Sequence, residues 1–356
     1  MDTGENISDN ILLCSNCFKD EGLRLDSIKI GIDESTPCPN CKSLVGKKLT
    51  SSLIESLARR FFVTGTLYRC DYGAAPTVQF NKHQLTSFDV PERLINDVKL
   101  FEQSIGVGFF PYGPRLWMIG HEIAPLDMLL SDTDRAIVIQ RISSEYPTRI
   151  LKVGEQFYRL RRNPEIPNSF DQYDSPPSFA ENGRLNSTAL SVMYCSQDLE
   201  ICIHECRASA QDELYIATLS PTRDLKLLNL TELIDDHVNE FESLDIAVYF
   251  LFLAGNHSYK ISRAIALAVK GAGYDGMIYP SYFSTLRTGA IPFETAFGIS
   301  IRKFASQREK VQSQIIPNIA LFGRPIEEGS VSIKCLNKVI LRRVDYDVHF
   351  GPVLEP

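Results

Sequence analysis

The chain has 356 residues, of which 44% are hydrophobic and 23% are charged, and its formal net charge is -7. These values are typical of a globular protein and exclude a broad basic field for a phosphate backbone, although a local basic patch stays open. The longest apolar run, residues 246–255, is about half of the roughly 20 residues that cross a bilayer. No basic segment of the signal-peptide type opens the chain, so we expect a cytoplasmic protein without membrane contact.

Two cysteine pairs stand near the start of the chain, Cys14-x2-Cys17 and Cys38-x2-Cys41. Pairs with this spacing form tight knuckles that present four thiolates to one zinc ion. Residues 1–48 are therefore predicted to form a small zinc ribbon whose folding depends on the metal. We interpret the zinc as structural, because four thiolates leave no open coordination position. Contact of the ribbon with nucleic acid or with a partner protein is the alternative.

Residues 49–150 are predicted to be mostly helical. The spacing of apolar residues predicts helices over 51–62, 91–105 and 136–146. The stretch 106–120 is rich in aromatic residues and glycine, which favours a tightly turned core element over a cover for a pocket.

Strands and helices alternate after residue 151. Strands are predicted at 157–161, 191–195, 214–219, 225–230, 275–280, 296–301, 318–322 and 333–343, and helices at 197–208 and 258–270. This order favours an α+β domain built around a mixed or antiparallel sheet. The predicted organisation is therefore a ribbon (1–48), a helical region (49–150) and an α+β domain (151–356).

Four polar residues around the predicted helix 197–208 stand where the hydrophobic pattern does not need them: Arg184, Asn186, Tyr194 and Glu205. Glu205 flanks the apolar stripe of the helix, so its carboxylate is expected to be partly desolvated. Such a carboxylate either pairs with an arginine or takes part in chemistry. The neighbouring His204 is expected at the surface, without a role as a base.

The order of several motifs resembles the RES domain. A GR-L-N motif begins at Gly183, a tyrosine follows its arginine by ten residues, and a glutamate followed by Cys-Arg comes eleven residues later. Upstream lie the segment YRLR and a proline pair at 176–177, and downstream lie the segments YDGMIYPS and PNIALFG. The similarity spans about residues 152–325. RES domains resemble ADP-ribosyltransferases in fold, which implies a mixed-sheet α+β domain of that type here.

The resemblance also implies a function, because RES domains are known as NAD+-degrading toxins, phosphorolytic or hydrolytic, often with an antitoxin as partner. It implies that this chain cleaves the nicotinamide–ribose bond of NAD+, with Glu205 stabilising the positive charge on the ribose. It assigns the pyrophosphate to Arg184 and Arg159. Tyr194 would stack on a ring or hydrogen-bond near it, and Ser281 would orient the ribose or the acceptor.

Purely structural interpretations of the same residues also stay open. Arg159 would then pair with Glu205, Tyr194 would be a core aromatic residue, and Ser281 would shape a turn.

The sequence also departs from the family pattern. Asn186, which the resemblance places among the ligand-binding residues, is followed by Ser187 where the family has proline. In addition, 36 residues separate Ser281 from Asn318, so that residues 283–317 are expected to form a lid or a partner surface.

Two other functions are alternatives. One is an ADP-ribosyltransferase that modifies a protein or a nucleic acid, and the other is a nucleic-acid-binding zinc ribbon joined to an inactive RES fold. The sequence leaves open whether water, phosphate or a macromolecule is the acceptor. It also leaves open whether an antitoxin, another regulatory protein or a second copy of the chain is bound.

Overall fold

The computed structural model describes residues 10–70, 73–111, 123–176, 183–234, 238, 242–253, 258–284, 288, 295–296, 299–343, 348 and 350–354. Within the predicted turn 106–120, residues 112–120 lie outside the described part, as does Pro177 of the proline pair. Contacts divide the chain into two compact units, one of residues 1–68, 75–118 and 346–356 and the other of residues 69–74 and 119–345. The predicted limits at residues 48 and 150 do not coincide with these units, and the three-domain assignment stays a prediction.

The first unit joins the cysteine-containing segment to the helices that follow it. Its helices are α1 (Glu21–Ile30), α2 (Ser51–Ala58), which continues as a π-helical turn (Arg59–Val63), and α3 (Ile95–Ile105). Its strand pairs are β1 (Ile11–Cys14) with β2 (Lys48–Thr50) and β5 (Val78–Lys82) with β6 (Val107–Pro111). A further strand pair is β3 (Leu67–Cys70) with β4 (Gly73–Pro76).

Phe62 stands at the centre of an aromatic core in this unit. The ring centroids of Phe61, Phe88, Phe101 and Phe109 lie between 4.3 and 6.3 Å from its own. Apolar residues from the cysteine-containing segment and from the helices pack into the same cluster. The predicted ribbon therefore shares its core with the predicted helical region, because a segment of about 50 residues has little apolar surface of its own to bury.

The C-terminal segment also packs in the first unit. The Phe350 N–H donates a hydrogen bond to Asp26 Oδ2 at 2.9 Å, Lys29 Nζ donates one to Val348 O at 2.9 Å, and Leu354 contacts the aromatic core. These residues lie outside the α+β unit, although the predicted domain 151–356 includes them.

The second unit is built on an eight-stranded mixed sheet. Its strands are β7 (Thr148–Leu151), β8 (Phe157–Arg162), β9 (Val192–Ser196), β10 (Leu214–Pro221), β11 (Leu225–Asn229), β12 (Gly276–Pro280), β15 (Pro317–Phe322) and β16 (Val331–Val339). Their order is β16-β10-β8-β9-β15-β12-β11-β7, and neighbours run antiparallel except for the parallel pair β11 and β12. The predicted α+β class with a mixed sheet is confirmed.

The predicted strand over 296–301 is wrong, because two short strands, β13 (Thr295–Ala296) and β14 (Ile299–Ser300), pair with each other there.

Helices cover the sheet of this unit. They are α4 (Ala124–Leu130), α5 (Arg135–Glu145), α6 (Leu199–Glu205), α7 (Leu244–Leu253), α8 (Tyr259–Gly271) and α9 (Arg308–Ser313). The segment with α7 and α8 connects the two parallel strands, as a parallel pair requires a long crossover. Helix α6 packs on β8 and β9.

The end of the segment between Ser281 and Asn318 is anchored to this unit. Arg302 forms a buried ion pair with Asp245 of α7 at 3.3 Å, and Arg308 donates to Leu233 O at 2.8 Å. The Leu233 N–H in turn donates to the side chain of Gln312. Residues 301–312 are therefore a packed part of the unit, and the expected lid or partner surface over residues 283–317 stays a prediction.

Candidate active site

Three antiparallel pairings align polar side chains across one end of the sheet. Tyr158 pairs with Ser196, Ser196 with Asn318, and Asn318 with Tyr279, so that one line crosses β8, β9, β15 and β12. Residues that are directly opposite each other in antiparallel strands project to the same face. We call this face, on which α6 packs against β8 and β9, the site face. The Cys202 thiol of α6 donates to Tyr158 O at 3.5 Å, which ties the helix to that end of the sheet.

Glu205 is the last residue of α6, and its Oε1 atom is held by two donors. Ser281 Oγ donates to Oε1 at 2.8 Å, and Asn318 Nδ2 donates to it at 2.6 Å. Ser281 and Asn318 are only 1% and 2% exposed, whereas Glu205 is exposed. The expected partial burial of Glu205 is therefore wrong, because the residue ends the helix at the rim of the sheet. Buried groups orient a carboxylate that solvent still reaches.

Tyr194 of β9 holds the loop from Gly183 to Asn186. Its hydroxyl accepts hydrogen bonds from the N–H groups of Leu185 at 2.8 Å and Asn186 at 3.2 Å, and it donates to Asn186 Oδ1 at 2.9 Å. Burial raises the pKa of Tyr194, so the phenol stays protonated as this donor. A Cβ on residue 183 would overlap Asn186 Oδ1, so this turn requires glycine. Tyr194 and Asn186 thus position the loop, and their predicted contacts with a ligand stay predictions.

Arg184 belongs to this loop, and its side chain packs on an aromatic surface. Its guanidinium is 5.1 Å from the ring centroid of Tyr259 and 5.9 Å from that of Phe252, and its Nη1 atom is 3.5 Å from Leu251 O. The Phe252 ring in turn packs against the Tyr279 ring, with centroids 5.2 Å apart. Stacking on aromatic faces fixes the plane of a guanidinium. Arg184 therefore belongs to the same group of side chains as Tyr279.

Arg159 lies on the opposite face of the sheet. It pairs with Ala217, which belongs to the apolar cluster that also contains Cys195 and Ile319. Its Nη1 atom donates to Tyr194 O at 2.8 Å and its Nη2 atom to Asp174 O at 3.0 Å, and the residue is 5% exposed. The guanidinium thus braces backbone carbonyls instead of pairing with Glu205. The geometry does not bring Arg159 to the Glu205 group, and its pyrophosphate role stays a prediction.

Sequence reasoning missed two features of this region. Tyr279 lies within the motif YDGMIYPS but received no role, and the His204 ring stacks on the Phe283 ring at 5.6 Å with an interplanar angle of 22°. His204 is half-buried by this stack, whereas we expected it at the surface. The alternation of side chains along a strand is a signal for Tyr279, because it stands two residues before Ser281.

The four N-terminal cysteines come together in the first unit. The Sγ atoms of Cys14, Cys17, Cys38 and Cys41 all lie within 4.8 Å of one another, with 3.9 Å from Cys14 to Cys17, 3.4 Å from Cys14 to Cys41 and 3.6 Å from Cys17 to Cys38. A tetrahedral zinc site with Zn–S bonds of about 2.3 Å has sulfur atoms about 3.8 Å apart. The cluster therefore fits this metal. Asn40 Nδ2 also donates to Cys17 Sγ at 3.3 Å, which is the kind of outer contact that orients a metal ligand.

The fold and this site define an α+β domain with a candidate catalytic carboxylate at one end of a mixed sheet. Residues 156–297 match the family model of the RES domain. The match includes Glu205 and Ser281 and ends before Asn318. It confirms the resemblance seen in the motifs, over a somewhat shorter range than 152–325.

The chain matches no curated protein. A solved chain from the crystal structure of the M. tuberculosis MbcT-MbcA toxin-antitoxin complex is similar over 57% of this chain and 91% of that chain, with 12% sequence identity and a TM-score of 0.33. At this level of similarity no property of that complex transfers to this chain.

Among the helices that the structure describes, none combines the length and the apolar character needed to cross a membrane.

Proposed function

We propose that the protein is an NAD+-degrading enzyme that cleaves the N-glycosidic bond between nicotinamide and ribose, with Glu205 at the reacting ribose. The RES domain supports this proposal, because the sequence resemblance associates that family with NAD+-degrading toxins. The observation that carries it is the arrangement of Glu205, whose Oε1 atom is fixed by two buried donors while the residue stays exposed.

The chemistry requires a fixed carboxylate beside the sugar. Loss of nicotinamide leaves positive charge on the ribose, and a carboxylate already in place stabilises that charge without reorganising during the step. Ser281 and Asn318 occupy Oε1, whereas Oε2 has no hydrogen-bond partner in the described part of the chain. Oε2 is therefore the oxygen that would face the substrate.

Arg184 is our candidate for binding the pyrophosphate. Its guanidinium is held on the rings of Tyr259 and Phe252, and a fixed guanidinium fork matches the geometry of phosphate oxygens. In Arg184→Ala we expect the KM for NAD+ to rise more than kcat falls, because the pyrophosphate does not react. Arg223→Ala is a control, because Arg223 is an exposed arginine that pairs with Asp275, the residue before β12, at the opposite end of that strand from Ser281.

We also propose that the four cysteines bind one structural Zn2+. The sulfur distances and the donor set support this assignment, and the metal would supply folding free energy to the first unit. Four thiolates leave no position for a substrate, so we assign the zinc no part in cleaving NAD+.

A pair of variants on α6 tests the role of Glu205. Glu205→Gln keeps the size of the side chain but removes its charge, and we expect it to lower kcat for NAD+ consumption by about 100-fold or more. Glu200→Gln makes the same change in an exposed residue of the same helix, and we expect wild-type kinetics from it. Unchanged kinetics of Glu205→Gln would remove the basis of the proposal.

The acceptor of the ADP-ribosyl group is a separate question. Nicotinamide release that does not depend on phosphate indicates water, and release that requires phosphate indicates a phosphorylase. Label from NAD+ retained on a protein or nucleic acid indicates a transferase. An antitoxin or another regulatory partner remains an expectation from the family resemblance.

A further inference from the structure

Tyr279 of β12 is a buried tyrosine without an assigned role. Only 6% of its surface is exposed, and its ring packs against Phe252 with centroids 5.2 Å apart and a tilt of 31°. These contacts alone are those of an ordinary core residue. The position of its hydroxyl group, however, is unusual for a core residue.

The register places Tyr279 on the site face, beside the residues that hold Glu205. Tyr279 pairs directly with Asn318, and Ser281 follows two positions later in the chain. Directly paired residues project to one face, as do alternate residues of a strand. Asn318 and Ser281 are the two donors to Glu205 Oε1, so the phenol stands next to the carboxylate group.

The Tyr279 hydroxyl has no hydrogen-bond partner among the residues that the structure describes. In the described part of the chain, the buried side-chain nitrogen and oxygen atoms that lack a hydrogen-bond partner all belong to arginines. The Tyr279 hydroxyl is not among them, so solvent still reaches it. Buried tyrosines usually find a partner, as the hydroxyl of Tyr173 does at Pro167 O and that of Tyr274 at Thr148. An open phenol beside Glu205 is therefore available to a ligand.

The Tyr279 phenol is in the protonated state that a hydrogen-bond donor requires. Burial raises the pKa of Tyr279 well above its ordinary value, and the nearby Glu205 carboxylate raises it further. The hydroxyl therefore keeps its proton at all physiological pH values. Glu205 Oε2 supplies an acceptor and Tyr279 supplies a donor on the same side of the sheet.

We infer that Tyr279 is a substrate-binding residue whose hydroxyl donates a hydrogen bond to a ribose hydroxyl of the dinucleotide held against Glu205. A sugar hydroxyl both donates and accepts, so it matches a carboxylate oxygen and a phenol placed side by side. This inference rests on the proposed function, because it takes NAD+ as the ligand.

Tyr279→Phe tests the inference, because it removes only the hydroxyl and keeps the ring against Phe252. We expect kcat/KM for NAD+ to fall about tenfold or more, as expected when a substrate contact is lost. The melting temperature should not fall, because the hydroxyl has no protein partner to lose. Tyr249→Phe is the matched control, since Tyr249 is a 9% exposed tyrosine of α7 whose ring instead faces Arg302 at 4.1 Å. We expect wild-type kinetics from it.

The outcomes separate this inference from the proposed function. Turnover of NAD+ by the wild type together with wild-type kcat/KM in Tyr279→Phe overturns the inference and leaves the function standing. If the wild type does not turn over NAD+, calorimetric titration with NAD+ decides. Binding that is weaker in Tyr279→Phe then supports the contact without the reaction, and equal binding, or none by the wild type, overturns the contact as well.

Discussion

Removing either donor from Glu205 Oε1 should slow the reaction without unfolding the domain. Asn318→Asp keeps the volume of the side chain but replaces the N–H that lies 2.6 Å from Oε1 with an oxygen, and Ser281→Ala removes the other donor. A hydrogen bond to a charged group contributes about 1.5–3 kcal/mol. If it fixes the carboxylate for the transition state, its loss lowers kcat by about 10- to 150-fold at about 1.4 kcal/mol per factor of ten. The Asn318→Asp effect should lie at the upper end, because two carboxylates then face each other.

The assay is NAD+ consumption followed by nicotinamide release, at a temperature below the melting point of each variant. The control is Asn229→Ala, because Asn229 is also a buried asparagine of the sheet. It lies at the end of β11, and its side chain bonds to Thr231 and Glu232 in the turn that follows. This control should lose stability and keep its kinetics. The double variant should cost less than the two single changes together, since both donors serve one atom. Wild-type kcat in both single variants would refute the idea that these donors prepare Glu205.

Three further predictions concern the metal, the loop and a buried thiol. Chelation of zinc should unfold the first unit, observed by circular dichroism, because structural zinc contributes about 10–16 kcal/mol and a domain has about 5–15 kcal/mol to lose; an unchanged spectrum after metal removal would argue against the site. Gly183→Ala should destabilise the protein by about 1–3 kcal/mol in urea titrations, because its Cβ overlaps Asn186; Gly271→Ala, with nothing within 4 Å of the new Cβ, should not. Burial raises the pKa of Cys195 to about 12, so its thiolate fraction at pH 8 is about 10⁻⁴ and rises only as the pH approaches 12; mass spectrometry should find it unmodified by iodoacetamide until the protein is denatured.

The local structure near Glu205 could be predicted from the sequence, apart from the helix ends. The predicted helix 197–208 is shorter in the structure, because Asp198 caps the first turn by accepting from the Ile201 N–H at 3.0 Å. At the other end Arg207 has a left-handed backbone with φ of 48°, which stops the helix just after Glu205. The capping aspartate could be predicted from the sequence. The left-handed backbone of the arginine could not, because only tertiary contacts select that conformation.

The assembly of the site could not be derived from local patterns. Glu205 is 76 residues from Ser281 and 113 from Asn318, and they meet only because four strands pair in one register. The family resemblance supplied Glu205 and Ser281, and it also supplied Arg159. Strand alternation separates Arg159 from its neighbour Tyr158, which shares the site face, and sends its side chain to the other side of the sheet. The strand order decides which side chains lie on the site face, and this order could not be predicted from the sequence.

The most direct test of the central claim is mass spectrometry of NAD+ after incubation with the purified, zinc-loaded protein, with and without phosphate. We predict that nicotinamide forms in step with the loss of NAD+, and that Glu205→Gln, still folded, forms almost none. Intact NAD+ under both conditions would contradict the claim that this protein breaks the nicotinamide–ribose bond.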